Sequence, residues 1–593
     1  MKRLFFLLSA FALAFMFVAC DSGNTGDFKI SLRLPVDSEG VCGDFENEDE
    51  DEETANDYTY CINKTDQVSL VIYSKQKVTD DYVYTDRKLI EVNDNDGGKE
   101  EFIRTLKKGT YYRFFVEVTN SNEKLKLTGG IDGVLYDDGE NFDVDIFLAP
   151  AGDFARVVAN RKNGKNEYDS MKSYFDDKGS KGAAAVALKD GSIYMAGGYD
   201  MEEGELTKKA VVFNMKSLSA DSAKDLDIPL QDHVAALLDD GSETGKVVVG
   251  LGKSEEGLND TLWLYDPEDN KYSKITDEIG GVTKAKAITV NGDVYIIGGC
   301  TETGASAGVY KISAETKKAE HFATLNKGRC NHAVAYFPSI TTKEDAEGNT
   351  ETTVVPRILV IGGSVDNKTE GEETPVVGKD FVEIISLESK TSTSVEVVDR
   401  KGGDDAKLAK EDADNMPTGL IAPAAVGVIM DDNDSNEAVV SVLGGYLRND
   451  ENGETAWVAN PRLLVFSESG DKLVYDANST PNECARPSAA LLGAEEKSVL
   501  KYVAVNCGTS ELEREVRNIS EQIIFVLQVK RVKDSDLNME VFSSSVKTTL
   551  MEENHDGESD AMFVDGPVAV DAMGQVFMLG GKYVYQVGSY AIP

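Results

Sequence analysis

The stretch that most restricts what this chain can fold into is Lys284–Cys300, KAKAITVNGDVYIIGGC. A small apolar run meets an Asn-Gly pair, and a second apolar run ends in two glycines. Asn-Gly is the strongest short hairpin signal, because both central residues of the tight turn take positive φ. The flanking runs therefore read as antiparallel strands. The unit recurs along the chain. First strands are expected at Ala183–Leu188, His233–Leu238, Ala285–Val290, His332–Phe337, Ala424–Met430, Ser488–Leu492 and Pro567–Val570. Second strands are expected at Ile193–Gly198, Val247–Gly252, Val294–Gly299, Ile358–Gly363, Val439–Gly445, Tyr502–Gly508 and Val576–Gly581. Most end in Gly-Gly, but two carry Gly250-Leu251-Gly252 and Cys507-Gly508 instead. A third strand tends to follow, as at Leu262–Tyr265 and Ile523–Leu527.

From Gly197 to Gly580 the unit returns about every 64 residues, and small sheets repeated at such a period read as blades of a ring. One blade cannot bury both faces, so its neighbours supply the core. Paired glycines let two backbones approach where side chains would collide. The length beyond a minimal blade falls in acidic loops such as Thr341–Thr353 and Val398–Asn415. The last unit has a third strand near Tyr583–Ile592 but no fourth. Phe154–Ala159, FARVVA, has no partner of its own. It is expected to complete the last sheet and join the ends of the ring, leaving only short protected edges.

Within this pattern, Trp263-Leu264-Tyr265-Asp266-Pro267 followed by Tyr272 resembles a kelch repeat: strand, turn, strand ending in Gly-Gly, then a strand with an aromatic. The later Trp of such repeats is mostly replaced here by Tyr or aliphatic residues. The resemblance implies an all-β chain with a kelch-like β-propeller over residues 151–593; the seven copies of the unit give seven blades, or six or eight if one of the two degraded copies is misread.

Residues 27–150 read as a separate all-β unit. Phe28–Leu34 alternates apolar and polar side chains, as a half-buried strand does. Further strands are expected at Val68–Tyr73, Leu89–Val92, Tyr111–Val118 and Val144–Leu148. Leu106-Lys-Lys-Gly-Thr-Tyr before an alternating strand, and Asn141–Pro150 closing on Pro, resemble the Ig-like or prealbumin-like β-sandwich modules of exported bacterial proteins. The resemblance implies that Gly109 makes a turn and Tyr111 packs between two sheets. An acidic insert, Asp44–Asp57, cannot bury apolar surface and reads as a loop.

Residues 1–20 read as a processing signal. Lys2 and Arg3 precede an apolar run from Leu4 to Val18, too short to span a bilayer and suited to a secretory signal. The run ends Phe17-Val18-Ala19-Cys20, which resembles a bacterial lipobox. That implies acylation at Cys20, a tether over 21–26, and a membrane-anchored lipoprotein of the cell envelope. An outer membrane or cell surface is favoured over the inner membrane, although Asp21 after the Cys is an inner-membrane retention signal in some bacteria. An ordinary signal with an incidental Cys is the alternative. Six cysteines remain: Cys42, Cys61, Cys300, Cys330, Cys484 and Cys507. Sequence neighbours pair as Cys42–Cys61, Cys300–Cys330 and Cys484–Cys507. The repeat supports the last two, since each joins the end of a second strand to the approach of a first strand. A metal site competes with disulfides, but no CxxC or Cys-His spacing favours it.

A net charge of −43 repels phosphate and argues against nucleic acid as a partner. His233 and His332 begin equivalent first strands near the channel mouth, while His321 and His555 stand elsewhere; two such His are more often structural than metal ligands. Arg329 and Arg486 precede first strands beside cysteines. They read as carbonyl or ion-pair contacts, with ligand binding as the rival. Asp432–Glu437 and Asp94–Gly97 offer oxygen ligands at alternate positions, a calcium reading that competes with plain Asx-rich turns. No nucleophile elbow, HExxH or P-loop occurs. The expectation is a non-catalytic protein whose propeller binds a protein or glycan. The alternative is a propeller enzyme acting on carbohydrate.

Overall fold

The computed structural model describes residues 25–33, 62, 66–77, 80–90, 101–136, 142–151, 154–157, 159–162, 165–167, 180–200, 204–215, 218–275, 279–344, 350–368, 372–399, 419–432, 435–449, 456–459, 462–469, 472–479, 484, 486–492, 500–508, 523–531, 539–545, 567–571, 573–579 and 584–588. The expectations for Cys20, Cys42, Cys61, the 44–57 insert, Asp94–Gly97, His555 and Gly580-Gly581 lie outside these residues, as does the side chain of Cys507.

The described chain is all-β, with one short 3-10 turn at Gly378–Asp380. Among the described residues, seven sheets of four antiparallel strands follow one another from residue 184, six of them built from strands in chain order. We call them A to G. Their first strands are Ala184–Ala187, Val234–Leu238, Lys286–Val290, Ala333–Tyr336, Ala424–Asp432, Arg486–Leu492 and Val568–Val570. Each first strand lies against the first strand of the next sheet, and that of G returns to that of A. The row therefore closes on itself. The fourth strand of G is Phe154–Arg156, paired with Tyr585–Val587 through Phe154↔Val587 and Arg156↔Tyr585. Sheet E carries one addition, Val397–Asp399, which runs parallel to its outer strand Lys472–Ser479.

Between consecutive sheets sits an apolar cluster built from both. Tyr194 and Ala196 of A meet Val247, Val249, Trp263 and Tyr265 of B. Similar clusters join B to C, C to D, D to E and E to F. The alternating strands of each sheet are apolar on both faces, as sheets covered on both sides must be.

At one edge the sheets approach more closely than side chains allow. A Cβ on Gly298 would stand 2.3 Å from the Arg329 carbonyl oxygen, and one on Gly362 would stand 2.4 Å from that of Leu420. In each case the carbonyl belongs to the connector entering the next sheet. The second glycine then donates its N–H to the same carbonyl, Gly299 to Arg329 at 2.9 Å and Gly363 to Leu420 at 2.8 Å. Gly198 and Gly252 make the same bond, to Leu230 and Val282. Each Gly-Gly thus fits under the neighbouring connector and ties to it.

Ahead of the ring, two sheets pack face to face. One has the order Glu101–Lys107, Thr25–Arg33, Phe142–Phe147; the other has Val83–Ile90, Gln67–Lys75, Thr110–Thr119, Leu125–Tyr136, Ala149–Pro150. Ile30 and Leu32 face Val68, Leu70, Phe114 and Val116 in one core. The far face of the five-stranded sheet, through Val71 and Phe115, covers Met573 in the first turn of sheet G. Gln575 donates to the Gly130 carbonyl at 3.1 Å across this seam.

Three local expectations are corrected and one unexpected strand is added. Thr341–Thr353 is no loop: Ser339–Glu344 and Thr350–Val355 form an antiparallel ladder, its β-branched run outweighing its charge. Leu125–Tyr136 is a long strand that its glycines concealed. They are there because a Cβ at Gly129 would strike the Phe147 carbonyl at 2.0 Å. The strand expected at Leu89–Val92 is instead Val83–Ile90. The tyrosine between the two sheets is Tyr112, buried with its hydroxyl bonded to the Lys107 backbone, while Tyr111 is only half-buried.

The close approach is testable. Gly241 has φ +84° with nothing within 4 Å of a Cβ, whereas Gly362 has φ +64° and the Leu420 carbonyl above it. Gly241→Ala is expected to cost only the left-handed backbone penalty, about 1–2 kcal/mol. Gly362→Ala adds a clash and is expected to cost about 3 kcal/mol or more. Urea denaturation midpoints compare the two; equal losses would mean the approach carries no energy.

Candidate functional site

The second strands end, and the first strands begin, at one face of the ring. Just before each first strand stands a residue with left-handed backbone: Gly182, Asp232, Lys284, Asn331 and Ala422, with φ between +49° and +69°. Their peptides form a chain around the channel. Asp232 N–H donates to Gly182 O, Lys284 to Asp232, Asn331 to Lys284 and Ala422 to Asn331, at 2.7 to 3.3 Å. Register places Arg486, opposite Gly508, at the matching position of sheet F. The mouth is therefore a hydrogen-bonded collar. The sequence reading missed it; the only signal was Gly, Asp and Asn, tolerant of positive φ, at three of the positions.

His233 and His332 follow collar residues, as their place in the repeat predicts, but they do not face the channel. The His233 ring covers Gly197 of sheet A, its Cε1 2.8 Å from where a Cβ would be, and His332 covers Gly298 of sheet C at 3.0 Å. Both are buried, and neither ring nitrogen has a hydrogen-bond partner. Where sheet B puts Leu251 in the left-handed first position, the matching residue of C is small, and Leu251 and Ala285 share one cluster. Volume lost on one side of the seam is thus supplied from the other. Burial holds the pKa of His233 down at about 4, with Asp232 opposing weakly, and pushes that of His332 well below its ordinary value, helped by Arg329 and Lys286.

Arg329 is fully buried. It forms an ion pair with Glu383, and it donates to the carbonyls of Asp380 at 2.6 Å, Gly362 at 3.1 Å and Phe381 at 3.2 Å. Glu383 also accepts the N–H groups of Asn326 and Lys327 and the Ser392 hydroxyl. Beside this network Cys300 is joined to Cys330, tying the end of sheet C to the connector entering D. A bridge closing about 30 residues contributes about 3–4 kcal/mol. Cys484 is also disulfide-bonded.

The lining of the mouth is different. Lys286 begins the first strand of C and keeps contact with solvent. Desolvation by the protein around it lowers its pKa, with Asp232 raising it and Arg486, from sheet F, lowering it further. Around the mouth stand the loops that follow the glycines. They include the ladders Tyr199–Asp200 with Glu205–Leu206 and Tyr446–Asn449 with Ala456–Ala459, and the exposed Val377.

The remaining candidates lie elsewhere. His321 is on the outer strand of C, bonded to Thr324. Asp432 pairs with Ser435 to close the hairpin of E. Among the described residues no group of three or more His, Cys, Asp or Glu converges as metal ligands do, and no helix is long and apolar enough to cross a membrane.

Antiparallel sheets in a closed row, each with glycines at the same edge, fit a kelch-repeat β-propeller. A stretch of 144 residues, 23% of the chain, is 26% identical to Kelch-like protein 40 of Xenopus tropicalis. The chain covers 22% of that protein's length. No protein-family profile matches.

The buried histidines give the seam an acid limit. The folded pKa of His233 is about 4 against an ordinary 6.5, so the unfolded chain binds the proton more tightly. Stability is intact above pH 6.5 and is lost as pH falls toward 4. Between pH 7.5 and 5 the His233 share of the loss is about 2 kcal/mol. Denaturant unfolding at the two pH values measures it, and His233→Leu is expected to remove that share.

Proposed function

We propose that this chain is a lipid-anchored protein of the bacterial envelope that binds a protein partner and performs no catalysis. Residues 1–20 are a signal cleaved ahead of an acylated Cys20, and 21–26 are a tether. Residues 27–150 form an Ig-like or prealbumin-like β-sandwich, and 151–593 a seven-bladed kelch-like propeller. The partner docks on the glycine-ended face, across the loops and the mouth. Recognition commonly resides on loops held by a rigid scaffold.

The observation that carries this reading is the collar. It holds the connectors of successive sheets in one hydrogen-bonded row, so the loops beside it are presented on a preorganised surface. The groups with acid–base capacity at this face are turned to structural use: His233 and His332 cover glycines, and Arg329 is consumed by Glu383 and carbonyls. The kelch-like stretch favours protein over glycan. The order of layers supports it too. The three-stranded sheet, holding the first strand Thr25–Arg33, lies beyond the five-stranded sheet, which lies beneath the turns of sheets G and A. An anchor upstream of Thr25 leaves the glycine-ended face pointing away from the membrane.

Two outcomes are expected. Cys20→Ser releases the protein from the membrane fraction on cell fractionation, while the parent protein stays with it. A photo-crosslinking residue in place of Val377 or Lys253, both on the exposed face, gives a discrete protein adduct in cells. The same residue at Lys271, on the outer strand of sheet B, gives none. Equal labelling at all three positions would count against the face.

A further inference from the structure

We propose that His233 and His332 make the docking face acid-releasable, by opening two alternate seams of the ring while the neighbouring seams stay shut. The effect on docking rests on the reading that the partner binds the glycine-ended face; the opening itself does not.

The two rings hold equivalent seats. Each occupies the space beside the first glycine of the preceding sheet, Gly197 for His233 and Gly298 for His332. One seat lies in the seam between A and B, the other in the seam between C and D. The next seams are filled without histidine. Leu251 and Ala285 meet between B and C, and Leu420 stands over Gly362 between D and E.

A protonated imidazole carries two N–H donors and needs two acceptors. Neither nitrogen of either ring has a partner, and both side chains are buried. The rings therefore serve by shape alone, and a proton is accepted readily only after a ring has left its seat for water. The charged groups nearby do not supply what is missing. Asp232 adjoins His233 but makes no hydrogen bond to its ring. Near His332 stand Arg329 and Lys286, both cations, and Glu383 is taken up by Arg329.

Proton linkage sets the size of the response. The hydrated His233 ring has the ordinary pKa of 6.5, and the seated ring about 4. Lowering pH from 7.5 to 5 thus multiplies the open population of the A–B seam about 25-fold. The seated His332 is held well below its ordinary value, so the C–D seam responds in the same direction. Opening exposes the bonds that tie each seam, Gly198 to Leu230 and Gly299 to Arg329. The loops beside them then lose the preorganisation that favours docking.

Hydrogen-exchange mass spectrometry of the full chain in detergent, corrected for the intrinsic pH dependence of exchange, reads four equivalent amides. Gly198 and Gly299 lie in the histidine seams. Gly252 and Gly363, bonded to Val282 and Leu420, lie in seams without one. Between pH 7.5 and 5 protection is expected to fall about 25-fold at Gly198 relative to Gly252. A fall of similar size is expected at Gly299 relative to Gly363. His233→Leu is expected to cancel the change at Gly198 and leave that at Gly299, and His332→Leu the reverse. Equal change at all four amides, or a change that survives in the histidine variants, overturns the opening. If a variant melts early, the four amides of the parent chain decide alone. The crosslink at Val377 reports docking separately, and its yield is expected to drop at pH 5 in the parent but not in the double variant. A yield indifferent to pH while the amides respond overturns the effect on docking. Should the amides respond while no crosslink forms at either pH, the docking face falls and the acid opening stands.

Discussion

Everything at the working end of this molecule depends on backbone meeting backbone at the seams between sheets. A carbonyl from one connector sits where the Cβ of the preceding sheet would be, and an N–H from the adjacent glycine binds it. The contact is short and directional, so it sets the rotation from each sheet to the next more narrowly than apolar packing alone. Side-chain clusters between the sheets supply most of the buried area and tolerate exchange of similar volumes. The glycine edge tolerates exchange only with compensation across the seam, as where Leu251 faces the small Ala285. That difference explains why Tyr, Trp, Ile and Val vary freely between the seams while glycine returns at most of the equivalent places.

The seam also explains which residues are available for binding. His233 and His332 have the chemistry of ligands, but each is used as a neutral plug over a glycine, with its nitrogens buried. Arg329 has the chemistry of an anion receptor, but it is spent on one carboxylate and a row of carbonyls. Lys286, by contrast, stands at the mouth end of its strand and keeps contact with solvent.

Much of the fold was legible because it repeats. Asn-Gly turns, apolar runs and Gly-Gly ends located the first and second strands closely, and the unpartnered run beginning at Phe154 pointed to a strand of sheet G. The elements that were missed lack such a pattern. Leu125–Tyr136 is rich in glycine for the sake of what packs on it, and a glycine excused by a distant carbonyl looks the same in sequence as one in a turn. The ladder at Ser339–Val355 was hidden by its charged tip. The collar was invisible for another reason. Its members are Gly, Asp, Lys, Asn and Ala, joined by backbone geometry and nothing in their side chains. Arg329 and Arg486 looked alike in sequence, each just ahead of a first strand, and only burial separates them.

The two sheets ahead of the ring do more than space it from whatever precedes them. The ring is closed by Phe154–Arg156, a strand from upstream joining sheet G, so the seam between G and A unites the two ends of the chain. The pairing of Phe154–Arg156 with Tyr585–Val587 has the weakest local claim to form, because its partners lie more than 400 residues apart and loop closure grows costlier with length. It is here that the five-stranded sheet packs. Val71 and Phe115 cover Met573, and Gly130 accepts from Gln575. Gly133 lies against Asp190 in the first turn of sheet A. One surface thus touches the turns on both sides of the closure. The same packing that buries the sheet's far face clamps the last seam of the ring and fixes the direction in which the opposite face looks.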